Sequence, residues 1–168
     1  YESVETLRSL EGLVDVYLPD FKYADDALAV RLSNAPDYSR TALAALREMV
    51  RQTGENVYGD DGLLQRGVIV RHLILPAHTR NSLAVLDLLA AEFPGVPVSL
   101  MAQYVPMGRV PADTRYADVN RRVTAREYRK VLDHMMALDL DGFCQERSAA
   151  EARYVPDFTQ FDAVPDQK

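Results

Sequence analysis

The chain has 168 residues, 48% hydrophobic and 26% charged, with a formal net charge of −6 and one cysteine, Cys144. That length suits a single domain able to bury roughly 70% of its unfolded surface. The acidic balance and the short basic groups exclude electrostatic capture of nucleic acid, and one cysteine excludes an internal disulfide and any cysteine-only cluster or zinc site built from this chain alone.

In chain order, Ser3 is placed to cap a short helix carrying Val4, Leu7 and Leu10, stopped by Gly12. A first strand follows over residues 13–20. Asp25 and Asp26 precede a helix over 27–32, broken before Pro36, and a longer helix over 40–52 shows Leu43, Leu46, Met49 and Val50 on one face, with Gly54 as its end. Residues 55–66, rich in Gly and Asp, read as a turn or loop. The second strand runs from Val68 to Leu75. Thr79 or Asn81 is then expected to cap a helix over 82–93 that Pro94 and Gly95 stop.

The third strand spans 98–105, and the long polar connection 107–123 is a candidate functional loop. Thr124 and Glu127 form a capping box for a helix to about Leu138, and a fourth strand is expected over 142–146. The tail, residues 149–168, reads as extended.

Apolar strands separated by helices long enough to cross over imply right-handed βαβ units and a parallel sheet. The expected fold is α/β, a partial and open parallel (β/α) barrel of about four strands over residues 1–148. Four strands are too few to close a barrel, so an edge and one flank of core are left exposed. The chain opens at Tyr1 without a methionine, and the expectation is a piece of a larger protein. No apolar run approaches the roughly 20 residues that span a bilayer and no signal-peptide pattern leads the chain, so no membrane contact and a cytoplasmic location are expected.

Parallel α/β folds place their chemistry at the carboxyl ends of the strands. There, Asp20 and Lys22 share a strand face, as a plain ion pair or as two arms around a polar ligand. Arg71 sits between Val70 and His72 in an apolar run, where a buried guanidinium needs an acceptor. Asp20 could serve, and so could a ligand carboxylate or phosphate. Ser99, Met101 and Gln103 share one face of the third strand and would meet Asp20 and Arg71 inside the barrel. Only one of Gln145 and Glu146 can point inward. His72, His78 and His134 form no close ligand motif, and neither a phosphate-binding glycine loop nor a nucleophile elbow is present.

The segments YESVETLRSLEGLVDVYLPDFKY, GLLQRGVIVRHLILP and VPVSLMAQYVP, with residues 120–124 through 142–146, resemble the carboxyl-terminal half of radical S-adenosylmethionine proteins. The nearest group is the iron–sulfur homologues of the pyruvate formate-lyase-activating enzyme. The resemblance implies the later strands of a partial (β/α)6 barrel that binds S-adenosylmethionine across its strand ends. Asp20 and Lys22 match the activases' aspartate-x-lysine motif, Arg71 matches an arginine that holds the cofactor's carboxylate, and Gln103 falls near the strand where activases carry a histidine.

Two departures stand out: Pro76-Ala77 where activases have proline-glycine, and Gln103-Tyr104 in place of that histidine. The Cys-x3-Cys-x2-Cys loop that holds the family's [4Fe–4S] cluster has no counterpart in this chain. By resemblance, the intact protein cleaves S-adenosylmethionine to a 5′-deoxyadenosyl radical, and its partners are the missing amino-terminal half and a glycyl-radical-type protein. This chain alone is expected to be inactive and to hold neither group. The rival expectation is a non-catalytic α/β binding module in which Asp20 and Arg71 neutralise each other.

Overall fold

Helix starts follow from local capping, and the computed structural model, which describes residues 1–144, places them within a few residues of expectation. Ser3 accepts the Thr6 amide ahead of α1 (Val4–Ser9), and Asp25 accepts the Ala27 and Leu28 amides ahead of α2 (Asp26–Ser33). The longer helix α3 (Tyr38–Thr53) extends past the expected range at both ends. Helix α4 (Thr79–Glu92) begins earlier than expected. His78 stands at its N-cap without a side-chain capping bond, and neither Thr79 nor Asn81 caps it. Asn81 is engaged elsewhere, as described below. The capping box of Thr124 and Glu127 forms as expected and opens α5 (Ala125–Ala137).

The strands are shorter and more numerous than the four expected. They are β1 (Val16–Tyr17), β2 (Val57–Tyr58), β3 (Leu64–Val68), β4 (Val70–Leu73), β5 (Val98–Met101) and β6 (Gly142–Cys144). Residues 55–66, expected as loop, instead hold β2 and the start of β3, paired antiparallel across a turn in which the Gly59 amide donates to Leu63 O at 2.9 Å. Short exposed strands around a Gly-Asp turn carry little apolar alternation, which is why the pattern passes for a loop. The connection 107–123 holds two single 3-10 turns, Val110–Ala112 and Thr114–Tyr116. Gln145, Glu146 and the expected tail lie outside the described residues.

Two three-stranded sheets result, in the orders β1-β3-β2 and β4-β5-β6. All pairings are parallel except β2 with β3. β3 and β4 are consecutive stretches of one extended path. Along it the Ile69 amide donates to Tyr17 O, the Arg71 amide to Pro19 O and the Phe21 amide to Arg71 O, at 2.8–3.0 Å. Beyond β1 a single further bridge joins Asp20 to Arg71. The fold is thus mixed α/β with small parallel sheets that do not close.

Alternation along this path separates two faces. Val68, Val70, His72 and Ile74 are buried, as are Val98 and Leu100 of β5. The apolar residues of that set form one core with Leu46 and Met49 of α3, Val85, Leu86 and Leu89 of α4, and Val131 and Met135 of α5. The opposite face, with Ile69, Arg71, Leu73, Ser99 and Met101, is partly to largely exposed. One exposed flank was expected of strands too few to close, and among the described residues the helices pack on one face. At the far edge, Gly142 (φ +157°) lets β6 approach β5, because a Cβ there would stand 1.9 Å from Val98 O.

Candidate functional site

Beyond the end of β1, a parallel bridge from Asp20 to Arg71, the second residue of β4, brings Asp20, Lys22 and Arg71 together. Asp20 Oδ1 lies 2.8 Å from Arg71 Nη2, and Asp20 Oδ2 lies 3.5 Å from Lys22 Nζ. The Asp20 Oδ1 atom is buried, yet the guanidinium approaches it without the alignment of a hydrogen bond. One carboxylate faces two cations, and its Oδ1 takes no aligned hydrogen bond, so the planar fork keeps donors for another acceptor.

The Arg71 side chain is 44% exposed, which corrects the expectation of a buried guanidinium. It lies on the strand face opposite Val70 and His72, away from the helix-covered core. Asp20, Lys22 and Arg71 also border a cleft of about 280 Å³ on the α3 side of the strands, with Ala42, Leu46 and Met49. That volume falls just below the roughly 300–1,000 Å³ typical of small-molecule sites.

Gln103 is not drawn into this cluster. It lies beyond the last residue of β5, exposed, with Nε2 3.8 Å from Met101 Sδ. Tyr104 is half-buried, and burial raises its hydroxyl above the ordinary value.

Three buried side chains hold the backbone that carries Asp20 and Lys22. The Tyr38 hydroxyl donates to Asp20 O at 3.1 Å and accepts the Lys22 amide at 3.0 Å. His72 Nδ1 lies 2.7 Å from Phe21 O. A carbonyl only accepts, so Nδ1 carries the proton and Nε2 is a bare lone pair, buried and without a partner. Burial lowers the His72 pKa to about 4, so the ring is neutral at physiological pH. Asn81 Oδ1 accepts the amides of Ala24 and Asp25 at 2.9 and 3.2 Å, and its Nδ2 donates to Lys22 O at 2.9 Å.

Sequence reasoning considered His72 only as a metal ligand and Asn81 only as a cap. The signal available was a polar side chain among apolar neighbours, which must find a partner on folding.

A second cluster was also missed. Arg31 of α2 donates from Nη1 and Nη2 to the two oxygens of Asp118, at 3.1 and 2.7 Å. His78 Nε2 lies 2.7 Å from Asp118 Oδ2 and 2.9 Å from Arg31 Nη2. One ring nitrogen cannot donate and accept at once; Asp118 can only accept, so Nε2–H donates to it and the arginine contact is a close approach. Hydrogen bonds from Arg31 hold the Asp118 carboxyl well below the usual range. This cluster fastens the 107–123 connection to α2 and to the turn after β4. Beside it a groove of about 670 Å³ is lined by Tyr23, Arg31, Tyr104, Arg109 and Tyr116.

Among the described residues no group of three or more His, Cys, Asp or Glu is placed to hold a metal ion. Nor is any helix among them long and apolar enough to cross a membrane.

The chain is similar to the uncharacterized protein MJ0674 of Methanocaldococcus jannaschii, with 29% identity over 142 residues. That alignment covers 84% of this chain and 37% of the relative, so the chain spans little more than a third of the length of the curated protein it matches. No protein-family profile matches the chain, and no solved structure matches it.

Proposed function

We propose that this chain is the carboxyl-terminal part of a (β/α) barrel in a radical S-adenosylmethionine protein, and that Asp20, Lys22 and Arg71 form one side of the cofactor pocket. The observation that carries the reading is the meeting of these three side chains where the chain leaves the end of β1 and runs beside β4. Strand ends are where parallel α/β folds bind their ligands.

The residues fit the amino-acid end of S-adenosylmethionine. Arg71 has donors free for its carboxylate, and the Asp20 carboxylate, 33% exposed, offers Oδ2 as an acceptor for its ammonium. Lys22 adds a second cation beside the carboxylate. These residues bind and orient; the bound cofactor supplies the sulfonium whose cleavage is the chemistry.

The residues do not fit the [4Fe–4S] cluster. Cys144 is exposed and alone, and a cluster of this kind needs several thiolates. No step is derived through it for this chain. In this reading the cysteine loop belongs to an amino-terminal half of the same protein, which also covers the bare strand face, and the whole acts in the cytoplasm on a glycyl-radical-type protein.

The direct Asp20–Arg71 pairing favours a second reading, a binding module in which the two charges neutralise each other. Arg71→Met in the intact protein separates the two. The expected result is S-adenosylmethionine binding weakened about ten- to a hundredfold, the loss of charge-assisted hydrogen bonds, with little change in melting temperature. Loss of stability with unchanged affinity would establish the binding module instead.

A further inference from the structure

We infer that Tyr38, His72 and Asn81 are positioning residues: a cradle of buried side chains that grips the backbone on either side of Lys22 and aims the Asp20 and Lys22 side chains at the ligand. The inference rests on the reading above, because the ligand in question is the one proposed there.

The segment after β1 has left the sheet. Its ladder ends at the single bridge between Asp20 and Arg71, and the next helix begins only at Asp26. Backbone groups in such a stretch, when buried, need partners that neither sheet nor helix supplies. Here six of them are satisfied by three side chains: Asp20 O and the Lys22 amide by Tyr38, Phe21 O by His72, and Lys22 O with the Ala24 and Asp25 amides by Asn81.

The three side chains come from α3, β4 and α4, so the grip is tertiary throughout. Tyr38, His72 and Asn81 are 5%, 0% and 7% exposed, and Phe21, between the two charged residues, is 2% exposed. The Asp20 and Lys22 side chains are 33% and 45% exposed. Buried side chains thus anchor the chain on both sides of a pair whose charged ends reach outward. Tyr23 and Phe21 also pack edge-on against the Tyr38 ring, which fixes the hydroxyl that the Lys22 amide meets.

The grip is made by neutral groups and holds backbone, leaving both charged ends outward. It suits a segment whose two charged side chains must keep a fixed spacing, because ordering them before binding removes part of the entropic cost of association.

The test uses the intact protein carrying Tyr38→Phe or Asn81→Ala, each alone and combined with Asp20→Asn. Two quantities are measured: the dissociation constant for S-adenosylmethionine, and amide hydrogen exchange at Lys22, Ala24 and Asp25. Tyr38→Phe removes only the hydroxyl. It is expected to speed exchange at Lys22 and weaken binding about five- to tenfold, the scale of one buried hydrogen bond. Because the effect passes through Asp20 and Lys22, the loss is expected to shrink in the Asp20→Asn background.

Asn81→Ala, which acts from α4, is expected to repeat the pattern at Ala24 and Asp25, so the test survives a misfolded tyrosine variant. Faster exchange with unchanged affinity overturns the positioning role while leaving the function reading standing. So does a loss that is the same in both backgrounds, which marks a purely structural effect. A wild-type protein that binds no S-adenosylmethionine overturns the function reading, and the positioning role falls with it.

Discussion

The amide of Ala77 donates to Glu127 Oε1 at 2.7 Å, tying the turn after β4 to the first turn of α5. Ala77 pays for this position with a left-handed backbone, φ +65°, which for a residue with a Cβ costs about 1–2 kcal/mol.

Ala77→Gly is therefore expected to stabilise the fold by about 0.5–1 kcal/mol, the relief of strain less the greater freedom of glycine in the unfolded chain. Denaturant unfolding measures it, and a destabilised glycine variant would contradict the left-handed assignment. Glu127→Ala is expected to cost about 2–3 kcal/mol. It strips the acceptor from the Ala77 and Thr124 amides and from both terminal nitrogens of Arg121.

Acid stability should carry the signature of His72. Its folded pKa is about 4 against an ordinary 6.5, so between those values the unfolded state binds a proton that the folded state does not. Stability from this group is complete above about pH 6.5, falls at up to ~1.4 kcal/mol per pH unit on acidification, and levels off below about pH 4. Unfolding curves measured across that window should lose this one-proton slope in His72→Asn, which keeps a donor for Phe21 O and cannot be protonated. An unchanged slope would assign the acid sensitivity to other groups.

Asp118 should control access to the connection over 107–123. Its two oxygens hold Arg31, and one of them also faces His78. Asp118→Ala is expected to cost only about 0.5–1 kcal/mol, because the pair is partly solvent-exposed. Tryptic cleavage after Arg109 and Arg115, which lie in that connection, should quicken severalfold while the helices stay intact. Cleavage at the wild-type rate would show that the connection is held by its own 3-10 turns.

What could be read from the sequence follows the range of the interactions. Thr124 and Glu127 are three residues apart, and their capping box was legible because every atom of it is local. The faces of the long strand were legible because alternation is also local: Arg71 and His72 had to point opposite ways, and they do. The extent of the cover was not. Arg71 reads as buried only if its face is fully covered, and within the described residues its side chain is 44% exposed.

The anchoring role of Asn81 was hidden because its partner Lys22 lies 59 residues away, and the Arg31–Asp118 pair spans 87. A helical pattern has no means of reporting such meetings. The β2–β3 hairpin was missed for the opposite reason: its pairing is near in sequence, but Val57 and Tyr58 are both exposed and leave no periodic trace.

The alternation between Arg71 and His72 also divides the demands on neighbouring codons. Substitutions at Val70, His72 and Ile74 must satisfy a packed interior, whereas those at Ile69, Arg71 and Leu73 answer to whatever binds against them. If the proposed pocket holds, a change of ligand preference can accumulate at every second position of one strand while the scaffold beneath it keeps its stability, which makes this short stretch the natural place to begin redesigning specificity.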